Sequence, residues 1–284
     1  MTKTATPAEP KFHGPRAFIV AGAGRTLLAF DADGLHYRIA AMYSRDPFIN
    51  EALQKYDSTK DPTWKPHVRN CAAIFGISPQ EAVVFMEKES PKYTFAKNSV
   101  YLWLNGGDVP ALANAAASAG LDFDLDAIGM LLDNWVQKAK RLHDWRLGLL
   151  DEVSRTGMVV LPSGRRRRFY NLTLDKATGR WKLNHKVTKE IYNHPLLGTE
   201  VDYMTPRFVK VLAWTEENPQ WLLCYHGHDG MMLDGPESEA KDARDEVFKL
   251  VRPATDLGGG FTLNVPWDAK VGPVWAGMKK FKET

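Results

Sequence analysis

Three aspartates and a run of four arginines carry most of the chemistry this sequence can offer. Asp31 directly follows the apolar stretch Thr26 to Phe30, and Asp33 lies two residues on. Side chains in an extended segment alternate with period two, so both carboxylates face one side wherever the strand geometry persists. Asp229 sits in His226-Gly227-His228-Asp229-Gly230, between apolar runs at Trp221 to Tyr225 and Met231 to Leu233. Carboxylates at adjacent strand ends can hold two divalent cations about 3.5–4 Å apart, which stabilise both oxygens of an in-line phosphoryl displacement. Magnesium suits that role, because it accepts a few carboxylates and completes its shell from water and phosphates. By spacing alone, an aspartate at a strand end is usually a turn or cap residue. Arg165 to Arg168 pose a related question. Guanidiniums crowded on a hairpin tip repel one another unless an anion is near, and phosphate is a natural partner; a solvated basic loop is the alternative.

The elements that must position these groups follow from local signals. Thr26 to Phe30 is a short strand, and a helix follows from about Leu35 to Met42. From Pro47 to Gly157 the periodicity is helical almost throughout. Ser78-Pro79-Gln80-Glu81 marks a helix start, with serine capping, proline in the first turn and glutamate reaching back. Further helices are expected over Thr94 to Leu104 and Val109 to Ser118, and one long helix from Asp124 to Gly157. Met158 to Leu161 and Arg167 to Tyr170 form a hairpin across Pro162-Ser163-Gly164, and the segments around Asp229 form a second. Glu237 to Val251 is an amphipathic helix, and Gly258 to Gly260 turn into a final strand. Acidic strands at both ends with a helical block between them define an α+β layout with a helical insertion.

Composition narrows the class. The 284 residues are 44% hydrophobic and 25% charged, which is ordinary globular composition, enough for one large domain or two smaller ones. A net charge of +3 is too small to announce nucleic-acid binding, so any basic surface must be local. Cys71 and Cys224, each in an apolar stretch, are expected as buried thiols of a reducing, cytosolic compartment. No apolar run approaches the roughly 20 residues of a membrane span. Residues 1–10 are polar and rich in Pro, Ala and Thr, and are expected to be a disordered leader.

Several segments, in order, resemble family A DNA polymerases. Phe30-Asp31-Ala32-Asp33-Gly34-Leu35-His36-Tyr37-Arg38 resembles motif A. Lys97-Asn98-Ser99-Val100-Tyr101 through Asn105-Gly106 resembles the fingers helix of motif B, with Lys92 beside its first basic position. His67, before Phe75-Gly76, falls where the family has a histidine that contacts a triphosphate. Gly164-Arg165-Arg166-Arg167 matches a G-R-R-R segment, and Asn193 to Asp202 is similar to N-x-P-x-Q-G-x-A-A-D. His228-Asp229 stands where motif C has H-D-E, and Lys270 to Ala276 resembles a segment near the family's C-terminus. The match runs from about Arg16 to the end, and the Asp31 to Leu35 segment and the tail are closest to phage-type relatives.

The resemblance implies a palm, an antiparallel sheet with helices, carrying a helical fingers insertion. Residues 11–46 would be the first palm part, 47–184 the fingers with the basic hairpin, and 185–284 the second palm part. It implies that Asp31 and Asp229, with Asp33 as an auxiliary, hold two Mg2+ ions, for which Mn2+ can substitute. Nucleotide binding falls to His67, Lys92, Lys97, Tyr101, His36 and Arg38. Primer-template DNA falls to Arg165, Arg166, Arg167, Arg168, Lys189, Asn193 and His228, with Trp181 to Lys189 adding positive charge to the groove.

The departures matter as much. His36 replaces the glutamate that closes the family's pocket against a ribose 2′-hydroxyl, and Gly230 replaces the second carboxylate of motif C. Tyr93 stands at the first basic position of motif B, Asn105 replaces a template-side tyrosine, and Leu197 replaces a DNA-contacting glutamine. No segment matches the thumb or exonuclease, so a split enzyme whose partner chain supplies them is expected. The implied activity is template-directed addition of dNTPs to a primer 3′-hydroxyl. A non-catalytic DNA-binding or scaffolding subunit, and an RNA polymerase or primer-making relative, are the alternatives.

Overall fold

The computed structural model describes residues 14–281; the leader expected over 1–10 lies outside them. Strand β1 (Arg25–Ala32) buries Leu27, Leu28, Phe30 and Ala32 and leaves Asp31 exposed at its end. Gly34, at φ 63°, turns the chain into helix α1 (Leu35–Ser44). Seven helices follow: α2 (Pro47–Thr59), α3 (Pro66–Phe75), α4 (Pro79–Glu87), α5 (Pro91–Leu104), α6 (Val109–Ser118), α7 (Leu125–Lys138) and α8 (Lys140–Thr156). Proline opens α2 to α5, where its missing N–H has no partner to lose. The Ser78/Glu81 capping box is present as expected, with the Ser78 amide 2.9 Å from the Glu81 carboxylate.

Two short hairpins come next: β2 (Met158–Val160) with β3 (Arg166–Arg168), and β4 (Thr173–Asp175) with β5 (Arg180–Lys182). Helix α9 (His185–Glu217) is followed by β6 (Leu222–Gly227), β7 (Gly230–Pro236) and α10 (Ala240–Val251). Strands β8 (Thr255–Asp256), β9 (Thr262–Leu263), β10 (Trp267–Gly272) and β11 (Lys279–Lys280) complete the described chain.

The chain forms two compact units. Of the described residues, one comprises 14–33, 204–253 and 265–281, and the other 34–203 and 254–264. The first unit is a five-stranded antiparallel sheet in the order β11-β10-β1-β7-β6. Helix α10 packs on it, with Phe248 edge-on to Phe30 at a ring separation of 5.5 Å and Val247 and Val251 buried. The second unit is helical with small hairpins. The α+β class with a helical insertion is therefore the architecture the sequence predicts. Among the described residues, no helix is long and apolar enough to cross a membrane.

Two expectations are corrected, and one helix was not anticipated. The helix expected from Asp124 to Gly157 is two helices that break at Ala139, which has φ −97° and ψ 44° and is fully buried. No glycine or proline marks the break. It is stabilised from far away: the buried Asp46 carboxylate caps α2 through the Phe48 amide at 2.9 Å and also accepts from the Leu142 amide in the first turn of α8 at 3.1 Å. The 33-residue α9 has no counterpart in the sequence reading. Pro195, Gly198 and Pro206 lie inside it, each a residue that disfavours a helix interior. Cys224 is exposed, because β6 is an edge strand with little cover, whereas Cys71 is buried as expected.

Candidate active site

The carboxylates meet at one end of the sheet. In the β1–β7 ladder Asp31 stands opposite Gly230, and the Ala32 amide donates to the Asp229 carbonyl at 2.8 Å. Gly227 pairs with Gly230, so His228 and Asp229 form a two-residue turn, with His228 at φ 46°. That left-handed conformation is uncommon for a residue with a side chain, though histidine adopts it more readily than most. The half-buried Asp229 is thereby fixed next to the end of β1.

Sequence reasoning missed a fourth acid, beyond Asp31, Asp33 and Asp229. On the other side of β1, Asp31 is directly opposite Asp268 of β10. Directly opposed residues share a face of the sheet, and like charges there repel. Only strand register reveals this proximity; Lys280 partly neutralises Asp268 at 2.9 Å. Asp33 lies just past β1, where its amide donates to the Pro266 carbonyl at 2.9 Å.

These neighbours raise the Asp31 pKa to about 6. Asp31 keeps some surface exposure, but the strands on either side take away part of its water; that is the largest cause, followed by the charge of Asp229, with Asp33 and Asp268 adding to it and Lys270 opposing. Carboxylates placed side by side favour a cation, and an exposed edge leaves room for water and phosphate, so the donor set fits magnesium held by one or two carboxylates. Among the described residues no group of three or more His, Cys, Asp or Glu is arranged to hold a metal. Gly230 accounts for part of that: a Cβ there would lie 3.5 Å from Asp31 Oδ1, so a longer acid at this position would reach the pair.

In the helical unit, α3 and α5 bring three of the expected nucleotide-binding residues together. His67 and Tyr101 have ring centroids 5.4 Å apart. Burial, then Lys97 and Lys65, lower the His67 pKa to about 3, so its imidazole is neutral at physiological pH and acts as a hydrogen-bonding group rather than a cation. Its Nδ1 is buried without a partner. Lys92 is not part of this group: its ammonium lies over the Phe75 and Phe85 rings. Phe75 is eight residues, about 12 Å of helix, from His67. His36 Nε2 is hydrogen-bonded to the carboxylate of the buried Glu200 of α9. Arg38, also buried, grips Asp57 through two nitrogens at 2.7 and 2.8 Å.

The basic hairpin is seated on α8 and α9 by Leu149, Val153, Val159, Leu161, Phe169, Val187 and Ile191. Gly198 allows the close approach, since a Cβ there would meet Leu161 Cδ1 at 2.5 Å. Its four arginines divide by alternation. Arg165 bonds Asp202 at 2.6 and 2.9 Å, and Arg167 pairs with Glu190 at 2.7 Å, both acids on α9. Arg166 and Arg168 are exposed, and neither forms an ion pair with a described residue. Lys189 lies 3.5 Å from Asp108, and Asn193 Oδ1 is buried without a partner.

The α+β scaffold is the fold that the motif resemblance implies. The chain belongs to DNA polymerase family A, whose model matches residues 7–277. It is 23% identical over 257 residues to the thermostable DNA polymerase I of Thermus thermophilus, covering 90% of this chain and 27% of that protein. The POL domain of Pol1 from M. smegmatis, solved in complex with DNA primer-template and dNTP, shares the fold with a TM-score of 0.70 at 17% identity. That match covers 93% of this chain and 42% of the other. The chain thus spans about a quarter of the length of that Thermus polymerase.

Proposed function

We propose that this chain carries a DNA-directed DNA polymerase active site that adds dNTPs to a primer 3′-hydroxyl. The observation that carries the reading is the placement of Asp31 and Asp229 side by side at one sheet edge, where the Ala32 amide bonds the Asp229 carbonyl at 2.8 Å, in a chain of this family. Asp31 and Asp229 would hold two divalent cations, Mg2+ or Mn2+, with Asp33 at the margin. Bound there, such ions lower the pKa of the primer hydroxyl and neutralise the triphosphate.

The remaining roles fall to the chain's own groups. Lys97 supplies charge to the triphosphate and neutral His67 a hydrogen bond, while Tyr101 offers a ring for the base and sugar. His36, fixed by Glu200, borders the sugar and limits the 2′ position. Arg166, Arg168, Lys189, Asn193 and His228 contact primer-template DNA. A second chain that completes the grip on duplex is part of the reading.

Primer extension with Mg2+ and dNTPs on a short primed template tests it. The wild type is expected to extend, and Asp229→Ala is expected to lose at least a hundredfold in rate, in keeping with the weight of charge stabilisation in such sites. Equal rates for the two would remove the assignment. DNA binding without extension by the wild type, even with its native partner present, would favour the non-catalytic subunit, which the loss of a carboxylate at Gly230 also suggests. Replacing dNTPs by NTPs distinguishes an RNA-making relative.

A further inference from the structure

Arg146 is a buried cation without a counter-ion. It lies in α8, is 6% exposed, and among the described residues no carboxylate pairs with it. Its Nε is sealed from solvent and has no hydrogen-bond partner. The guanidinium lies 3.5 Å from the ring centroid of Trp103 on α5 and 3.8 Å from that of Tyr192 on α9. Trp103 is itself braced edge-on by Trp135 at 5.1 Å. Burial lowers the arginine's pKa to about 10, so it is still charged at neutral pH.

Buried charges are ordinarily paired, because removing an ion from water is costly. Two cation–π contacts offset part of that cost. They engage the faces of the guanidinium, however, and leave the in-plane N–H fork, which is the part that binds an oxyanion. The rings also hold the fork in one orientation, so little freedom is lost when an anion arrives. The surroundings suit a nucleic-acid strand. Tyr192 is flanked on α9 by Lys189 and by Asn193, whose buried Oδ1 is also without a partner. The turn after α5 packs on the same stretch: a Cβ at Gly106 would lie 2.9 Å from Lys189 Cα.

We propose that Arg146 is a phosphate-binding residue of the nucleic-acid groove, its edge donating to a phosphodiester oxygen of the bound strand while Trp103 and Tyr192 clamp its faces. This rests on the reading of the chain as a DNA-binding polymerase. It adds a site on α8, a helix that none of the motifs include.

The test is anisotropy of a labelled 20-base-pair duplex with a 5′ overhang, titrated with the full chain at several KCl concentrations. Arg146→Met and Arg146→Lys are compared with the wild type, and each is also followed by thermal melting. Arg146→Met is expected to bind about tenfold more weakly, with the slope of log K against log[salt] reduced by about 0.9, the loss of one phosphate contact. Its melting temperature should stay level or rise, since an apolar side chain of similar length replaces a desolvated ion. Arg146→Lys keeps the charge and should retain the slope while losing several-fold in affinity with the fork.

A salt slope in Arg146→Met equal to that of the wild type overturns the proposal and makes the arginine a structural clamp. If that variant does not fold, wild-type affinity in Arg146→Lys overturns it instead. A raised KM for dNTP with duplex binding unchanged would assign the phosphate to the nucleotide and equally overturn it. No duplex binding by the wild type would remove the polymerase reading, and this inference with it.

Discussion

Asp31 shows how one side chain acquires its chemistry from register. Its own segment supplies a carboxylate at a strand end, but β7 and β10 surround it with Gly230 and Asp268, and the turn adds Asp229. Its folded pKa of about 6 lies above the ordinary aspartate value of about 3.9, so between those values the folded state holds more proton than the unfolded one. Stability attributable to this group therefore falls as pH rises from about 4 to about 6 and stays lower above. Asp31→Asn removes the penalty. The variant should melt higher than the wild type at pH 8, with the gap closing by pH 4, and Mg2+ should raise the melting temperature of the wild type alone. A gap that is constant across this range in differential scanning fluorimetry would show that neither burial nor the neighbouring acids raise the Asp31 pKa.

The basic hairpin makes the same argument for an element. A run of four arginines looks uniform in sequence, yet strand alternation turns Arg165 and Arg167 to acids on α9 and leaves Arg166 and Arg168 outward. The first pair braces the hairpin, and the second is available to phosphate. Arg166→Gln with Arg168→Gln should lower the DNA-binding salt slope by about 1.8, about 0.9 for each lost contact, at little cost in stability. Arg165→Gln with Arg167→Gln should change the slope less but speed amide exchange across 158–168, because a bidentate pair and a second ion pair on a partly exposed surface contribute about 1 kcal/mol. Equal slopes for the two double variants would refute the division.

At the scale of the whole molecule, a net charge of +3 means that any affinity for DNA depends on where the charges are placed. Much of the surface charge is already paired, as in Lys140 with Asp144 at 2.7 Å on α8. Lys140→Gln changes net charge by the same amount as Arg168→Gln. It should leave the salt slope unchanged and shift stability by less than about 0.5 kcal/mol. A slope that followed net charge, with Lys140→Gln equal to Arg168→Gln, would replace local contacts by a diffuse field.

What the sequence determined by itself is what a few neighbouring residues can encode. Alternation placed β1 and the strands around Asp229, a capping box placed α4, and turn residues placed the basic hairpin. The ordered motifs then named the family. The tertiary structure decided what depends on partners far along the chain. Asp268 joins the acidic edge only through the β1–β10 register, and Leu142 finds its cap on Asp46 at a helix break that no glycine or proline marks. Leu161 sits against Gly198 inside a helix that prolines obscure, and the edge position of β6 exposes Cys224. Capping, alternation and turn geometry act within about one helical turn. Counter-charges, register and burial are set by whichever segment packs alongside, and a local pattern carries no record of that neighbour.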